Sequence, residues 1–523
     1  MLNKTKNKYF DLIDESTDPE RANRICVSLS DIHLTDGSVG FQNLGHETWD
    51  AFYDAIAARC QRYSINEMIF VLDGDVVDMI RSDKWAKNEI YPWQRERTDD
   101  FSRIVNEIIH DIVDDKHKLF FKWLRDLPEK LKTDAQVETV KIVITLGNHD
   151  KELFCDNKAL AYFYEEGLGI KLDQISDKER RAIGHMYGDE SMFADKSVAP
   201  YLPFYYGDRG FRFFTTHGHW RDKENSRNIK AKDGLPSWSA QDGWQNEVWK
   251  KLKFSPFFEP CFGDTVAAGV LSTFIYKTKK SLLEYGYHDD RLLSILDELD
   301  LYRPTYKALI RITEETHTMR VRKYDDKVIQ IIEDTLYRCV INWLNWDFTY
   351  ETSPLLRRIG FRTAKISLKL MKRIGFGLEI KAIAALMKLM NGFSNWNPFK
   401  TSAVSYKEMK GFPAFMPAYQ HYGFQIHGEG HTHHPLQEEP NFNDHKLSTY
   451  INFGTWRDQI IGRKESGYRR RSVLRAFFIL DLKDTTDGAK KGDRSFNYYT
   501  DDIISWSDKA DSFSRTGKHQ PHV

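Results

Sequence analysis

The stretch Met68-Ile69-Phe70-Val71-Leu72-Asp73-Gly74-Asp75-Val76-Val77-Asp78 decides how this chain is read. Residues 68–73 form an apolar, β-branched run of strand length. Gly74 then permits a tight turn, and Asp75 is delivered at the strand end, where one carboxylate can bridge two cations. Asp73 and Asp78, taken alone, are a strand-end charge and a helix-start charge. Four more segments are built the same way. Asp31-Ile32-His33 follows a run at 24–30, Gly147-Asn148-His149-Asp150 a run at 140–146, and Thr216-His217-Gly218-His219 a run at 211–215. Gly430-His431-Thr432-His433-His434-Pro435 comes a few residues after a run at 422–426.

Further strand-like runs lie at 448–452 and 474–482, and helix-like stretches at 47–62 and 101–127, the latter closed by Pro128. Strands alternating with helices predict an α/β architecture, in which ligands gather beyond the carboxyl ends of strands. The alternation breaks between about 220 and 409. Helical periodicity dominates there, at 265–284, 289–301, 324–346 and 355–390, while 223–249 is polar, Trp-rich and unassigned. The organisation expected is an N-terminal extension (1–23), a first core segment (24–222), a mainly helical insertion (223–409), a second core segment (410–503) and a polar tail (504–523).

The strand-end segments offer hard oxygen and imidazole donors. Asp31 and His33 alternate around Ile32 and so point to one side. Asn148 supplies a neutral oxygen, and His149 beside it a titratable group. His217, His431 and His433 add imidazoles, the last two spaced to reach neighbouring ions. Such a set suits a pair of divalent cations, whose usual chemistry is attack of an activated hydroxide on phosphorus. His219, His427 and His434 read as hydrogen-bonded loop histidines.

Bulk properties exclude little. Lys+Arg and Asp+Glu cancel at 76 each, so net charge gives no argument for a nucleic-acid partner. The five cysteines are scattered without CxxC spacing and read as reduced thiols. The N-terminal residues have no apolar signal region, and no apolar run approaches the roughly 18 residues of a membrane span. A cytoplasmic protein is expected.

The order D-x-H, GD-x-x-D, GNH(D/E), H, GH-x-H resembles that of the calcineurin-like metallophosphoesterase superfamily, over 24–221 and 422–456. The resemblance implies a four-layer α-β-β-α sandwich of two mixed sheets. It implies one metal held by Asp31, His33, Asp75 and His433, and a second by Asp75, Asn148, His217 and His431. Manganese is the first expectation for both, with Fe, Zn, Mg or Ni as the other metals of the family. A hydroxide bridging the pair would hydrolyse a phosphodiester or pyrophosphate bond, with His149 protonating the leaving oxygen and Asp78 orienting His149. Asn452-Phe453-Gly454-Thr455-Trp456 resembles a segment that closes the core in bacterial members. Arg457 and Arg221 each read equally as a substrate-phosphate ligand or a surface ion pair. Met79 stands where the family's Ser/Thr protein phosphatases carry arginine, and GNHD replaces their GNHE, so protein-phosphatase activity is disfavoured.

Residues 353–400 carry ten Lys/Arg against one acid, Glu379, interleaved with apolar positions. Such a stripe suits the inner, anionic face of a membrane or a lipid-linked substrate. It could instead grip a nucleic-acid backbone, or be a hairpin packed on the core with solvated lysines. A lipid-linked substrate would make the chain loosely similar to the UDP-diacylglucosamine pyrophosphatases, whose helical lids are much shorter. Three functions therefore stand: a phosphodiesterase or pyrophosphatase on a lipid-linked or nucleotide substrate, a metal-dependent nuclease, and a non-catalytic scaffold. Oligomeric state is not readable.

Overall fold

Alternation along the strands sets the layers. In Arg24–Leu29, Ile25, Val27 and Leu29 pack among helices, while Cys26 points the opposite way into a second cluster. Glu67–Asp73 repeats the division, with Met68, Phe70 and Leu72 on the helical side and Ile69 and Val71 on the other.

The computed structural model describes residues 13–14, 18, 20–40, 42, 44–187, 189, 191, 195–219, 222, 224–227, 258–303, 306–373, 424–439, 449–463, 467–471, 473–486, 489–490 and 492–502. Arg221, residues 374–400 of the basic stretch, most of 223–249 and the tail lie outside them. Thirteen strands are described: β1 (Ile13–Asp14), β2 (Arg24–Leu29), β3 (Glu67–Asp73), β4 (Thr139–Thr145), β5 (Tyr206–Asp208), β6 (Phe213–Thr215), β7 (Ile426–Glu429), β8 (Leu436–Glu438), β9 (Thr449–Asn452), β10 (Gln459–Arg463), β11 (Gly467–Arg471), β12 (Arg475–Lys483) and β13 (Arg494–Asp502).

Five of them form a mixed sheet ordered β13-β12-β2-β3-β4, and six form another ordered β1-β5-β6-β7-β9-β8. Within the first, β2, β3 and β4 run parallel, with Leu29 opposite Leu72 and Asp73 opposite Thr145, so their carboxyl ends are level. In the second, β6, β7 and β9 run parallel. The sheets face one another through Cys26, Ile69, Val71, Val143, Phe477 and Ile479 on one side and Phe213, Ile426, Ile451 and Phe453 on the other. Helices His46–Arg62, Thr98–His110 and Lys118–Ala135 cover the opposite face of the five-stranded sheet through Trp49, Phe52, Phe101, Ile108, Trp123 and Leu127. The protein is thus α/β, as the alternation predicts, with two mixed sheets, as the resemblance implies.

Two local expectations need correction. Pro128 does not close its helix but lies inside Lys118–Ala135. An interior proline costs about 3 kcal/mol; here Leu124, Leu127, Leu131 and Ala135 form a buried apolar stripe that carries the helix past it. The chain breaks instead near His117, whose Nε2–H donates to the Thr35 carbonyl at 2.9 Å. The expected strand at 422–426 is displaced: β7 begins at Ile426 and runs directly into Gly430, so the fifth segment follows its strand as closely as the others.

Among the described residues, 262–373 is helical and has its own core of Phe274, Leu296, Ile312, Val340, Trp343 and Phe361. One of its helices, Tyr306–Val321, was not foreseen. The insertion is tied to the core segments at defined points. Arg303 N–H donates to the Ile460 carbonyl at 2.8 Å, and the Lys151 ammonium meets Asp264 at 2.6 Å with both side chains buried.

Candidate metal centre

Loops from the carboxyl ends of β2, β3, β4, β6 and β7 converge, three from one sheet and two from the other. Backbone bonds zip them together: Asp31 N–H to Gly74 O (3.2 Å), His33 N–H to Asp75 O (2.9 Å) and Gly430 N–H to His217 O (3.1 Å). The segment after β9 closes the arrangement, with Trp456 N–H and the Thr455 hydroxyl both donating to Asp31 O at 3.0 and 2.7 Å. Asp150, buried at the end of GNHD, accepts from Asp75 N (2.7 Å), Gly147 N (2.9 Å) and Val77 N (3.0 Å). It holds two loops in register. Gly147 and Gly430 are required by close approach, since a Cβ would strike Asp75 at the first and Ser30 and Asp31 at the second.

Five of the seven expected ligands occupy left-handed backbone: Asp31 (φ 56°), His33 (54°), Asp75 (51°), His431 (66°) and His433 (55°). That conformation costs an L-residue on the order of 1–3 kcal/mol, and Asp, Asn and His tolerate it best among non-glycine types. Metal chemistry and backbone thus ask for the same side chains.

Among the described residues the expected ligands gather in two groups that share Asp75, beside a third made by His33, Asp78 and His149. Asp31, His33, Asp75 and His433 form one, and Asp75, His217 and His431 the other, each with all its donor atoms within 4.8 Å of one another. Atoms bound to one ion at about 2.1 Å sit roughly 3 Å apart. His433 Nε2 is 3.1 Å from Asp31 Oδ1, His217 Nε2 3.2 Å from Asp75 Oδ2, and Asn148 Oδ1 3.0 Å from His431 Nδ1. Remote bonds aim the rings. His217 Nδ1–H donates to Asp73 O at 2.7 Å, which turns Nε2 toward Asp75. His33 Nδ1 meets Asp78 Oδ2 at 3.1 Å, which turns its Nε2 toward His433 Nε2, 2.9 Å away.

Charge and orphaned atoms fit a cation. Among the described residues Asp31 Oδ1 and His217 Nε2 are buried and, despite neighbours at 3.1 and 3.2 Å, make no well-directed hydrogen bond, a costly condition unless an ion takes up the lone pairs. Burial works against the charge of Asp75, but His217 and His149 outweigh it and hold the carboxyl well below its usual range. Burial likewise lowers His33 and His217, yet the surrounding carboxylates prevail and lift them to about 9 and about 10. Those imidazolium charges stand where cations would neutralise the same carboxylates. By contrast burial, aided by Asp75, pushes Asp150 up to about 7, although the N–H bonds from Val77 and Gly147 pull it the other way.

All seven expected ligands are therefore brought together, and His149 and Asp78 stand beside them. His149 Nδ1 lies 2.7 Å from Asp78 Oδ1, so Asp78 serves two histidines, His33 and His149. Arg457 is no surface group: it is 1% exposed and paired with Asp300 of the insertion. Arg221 lies outside the described residues. His427 is hydrogen-bonded as expected, 2.8 Å from Glu429, but it lies buried within β7 and not in a loop. His219 is buried with its ring 5.5 Å from that of His217.

Sequence reading missed three groups. Asp222 Oδ2 lies 3.1 Å from His431 Nε2 and backs that ring; a carboxylate five residues after His217 in one loop was the available signal. Asp150 was visible in GNHD but not its three bonds. Arg303 reaches His433 Nδ1 (3.4 Å) from the insertion and left no local trace. Comparison with protein-family models, curated proteins and solved structures gives no match.

Proposed function

We propose that the protein is a dinuclear-metal phosphoester hydrolase of the calcineurin-like type, built on the four-layer sandwich that its motif order implies. The observation that carries this reading is the pair of donor groups joined at Asp75. Asp31, His33, Asp75 and His433 would hold one divalent cation, and Asp75, Asn148, His217 and His431 the other. Manganese is favoured, and the oxygen–imidazole set also accepts Fe, Zn, Mg or Ni. When bound, the pair lowers the pKa of water and neutralises phosphoryl oxygens.

The chain's own residues do the rest. His149, His431 and His433 are the partly exposed members, with 13%, 11% and 14% of their side chains open, and so face incoming substrate. Asp78 fixes His149 through Nδ1 and leaves Nε2 for the leaving oxygen. Burial lowers His149 below the ordinary imidazole value although Asp78 and Asp75 oppose it, so its imidazolium is the stronger acid and gives up its proton to the leaving oxygen more readily. Asp222 and Asp73 O keep the ligand rings from turning.

The test is metal content and hydrolysis of bis(p-nitrophenyl) phosphate on one preparation. Two divalent ions per chain and turnover are expected, with Asp75→Asn losing both, roughly a thousandfold in rate or about 4 kcal/mol. Inactivity across all five metals, with Asp75→Asn indistinguishable from wild type, would end the enzymatic reading and leave the scaffold.

For the substrate's setting, helix Leu355–Arg373 carries an observation of its own. Phe361, Ala364 and Leu368 are buried, whereas Leu355, Ile359, Ile366 and Leu370, at helical spacing on another face, are more than half exposed. Arg362, Lys365 and Lys369 are interleaved with them. Exposed apolar side chains beside basic ones suit an anionic lipid surface better than a nucleic-acid backbone. We therefore favour a phosphodiester or pyrophosphate substrate presented at a membrane, with a nuclease second. Among the described residues no helix is long and apolar enough to cross a membrane, so this contact would be peripheral. Flotation with anionic and neutral liposomes should show binding to the anionic ones only, lost when Ile359 and Ile366 become Ser.

A further inference from the structure

Three guanidinium groups meet beside His433. Arg81 comes from the loop after β3, with Nε 3.3 Å from Asp78 Oδ2 and Nη1 3.1 Å from Asp300 Oδ2. Arg457 follows the segment after β9 and binds the same Asp300 oxygen. Arg303 comes from the insertion. Its Nη1 donates to the carbonyls of Asp300 (2.6 Å) and Tyr302 (3.1 Å), and Nη2 points at His433 Nδ1 (3.4 Å).

The balance of charge is unusual. Asp300 is shared by Arg81 and Arg457, and Asp78 already serves two histidines. Among the described residues no carboxylate lies within ion-pair distance of Arg303. Burial, then the charges of Arg81 and Arg457, disfavour its guanidinium and outweigh the more distant attraction of Asp300 and Asp31. A purely structural clamp explains Asp300 with Arg81 and Arg457, since that carboxylate joins insertion to core. It does not explain Arg303, which adds a third like charge to the same spot at a cost. Such a cost is repaid when an anion enters, and planar guanidinium forks match phosphoryl oxygens.

We propose that Arg303, with Arg81 and Arg457, forms an anion subsite beside the metal centre that holds the second phosphoryl group of a pyrophosphate-linked substrate. The assignment rests on the phosphoesterase reading and narrows it. Water's oxygen bonds to one phosphorus as the bridging P–O bond breaks. The electron pair stays on the bridging oxygen of the arginine-held phosphoryl group, and one proton is released to the products. The guanidinium charges stabilise the anion that leaves. A diester with a single phosphate would leave the subsite empty. The chemistry is shared by soluble nucleoside-diphosphate esters and by lipid-linked pyrophosphates.

The experiment has two readouts on the full chain. In calorimetry after EDTA treatment, inorganic pyrophosphate should bind wild type, and Arg303→Gln should weaken it at least tenfold. Arg303→Lys, which keeps the charge without the fork, should fall between them, and the exposed Arg103→Gln should bind as wild type. In manganese-loaded turnover, UDP-glucose and a lipid-linked pyrophosphate in mixed micelles are each compared with bis(p-nitrophenyl) phosphate. Wild type should prefer one of the pyrophosphates, which identifies the source, and Arg303→Gln should lose at least tenfold more kcat/KM on it than on the diester. Equal pyrophosphate binding by wild type and Arg303→Gln, or equal losses on both substrate types, overturns the subsite. Arginine-dependent binding with no turnover of any substrate would retain the subsite and sink the hydrolase reading instead.

Discussion

In the ligand loops most polar side chains, Asp31, His33, Asp75, Asp78, Asn148, Asp150 and His217 among them, are buried, whereas helix Leu355–Arg373 leaves Leu355, Ile359, Ile366 and Leu370 facing water. The first region spends burial on polar groups; the second leaves apolar groups out. Each reverses the usual partition, and on the reading proposed above each reversal marks a binding place: for cations among the buried carboxylates, and for an anionic lipid surface over the helix. The two regions are also joined. Lys151, three residues after Asn148, bonds to the Asn148 carbonyl at 2.8 Å and to Asp264 of the insertion at 2.6 Å.

That joint is the place to break the comparison. Asp264→Ala leaves the Lys151 ammonium buried without its closest counter-charge, and should cost about 3–5 kcal/mol, read as a lower unfolding midpoint. An unchanged midpoint would make the two regions independent. Within the loops, His149→Ala should keep both metals yet lose about a hundredfold or more in turnover of poor leaving groups. Full activity in that variant removes His149 from the chemistry. Asp222→Ala frees the His431 ring and should weaken metal affinity by roughly tenfold to a hundredfold, measured by competition with a chelator. Loss of binding no greater than for Asp484→Ala, on the surface, would make Asp222 incidental.

The smallest effect is a pH slope. Burial pushes His117 down to about 4 in the folded chain, against roughly 6.5 unfolded. Between those values the unfolded state holds more protons, so stability falls as pH drops, by at most about 1.4 kcal/mol per unit. His117→Gln should flatten denaturant midpoints across that window. A slope unchanged by the substitution would place the titrating group elsewhere.

The same comparison explains what was legible. Each expected ligand follows its own strand by two to four residues, so strand signal and donor type appear together in a short window. The groups that back or join the site do not. Asp222 meets His431 across 209 residues, Arg457 meets Asp300 across 157, Arg303 meets His433 across 130 and Lys151 meets Asp264 across 113. Pairing at such separations is decided by packing. Strands β10 and β11, with the charged run Gly467–Arg471, and the partly exposed edge strand β13 were missed for a related reason: little of their sequence is apolar.

The left-handed backbone at five ligand positions also limits how this site can be inherited. Val and Ile, whose branched Cβ crowds that conformation, are shut out wherever Asp31, His33, Asp75, His431 or His433 now stands. Replacement by Asn or Gly keeps the loop. On the proposed metal-bound reading, a descendant that lost its metals would therefore drift toward Asn and Gly at these positions, and the shape of the cage would outlast its chemistry.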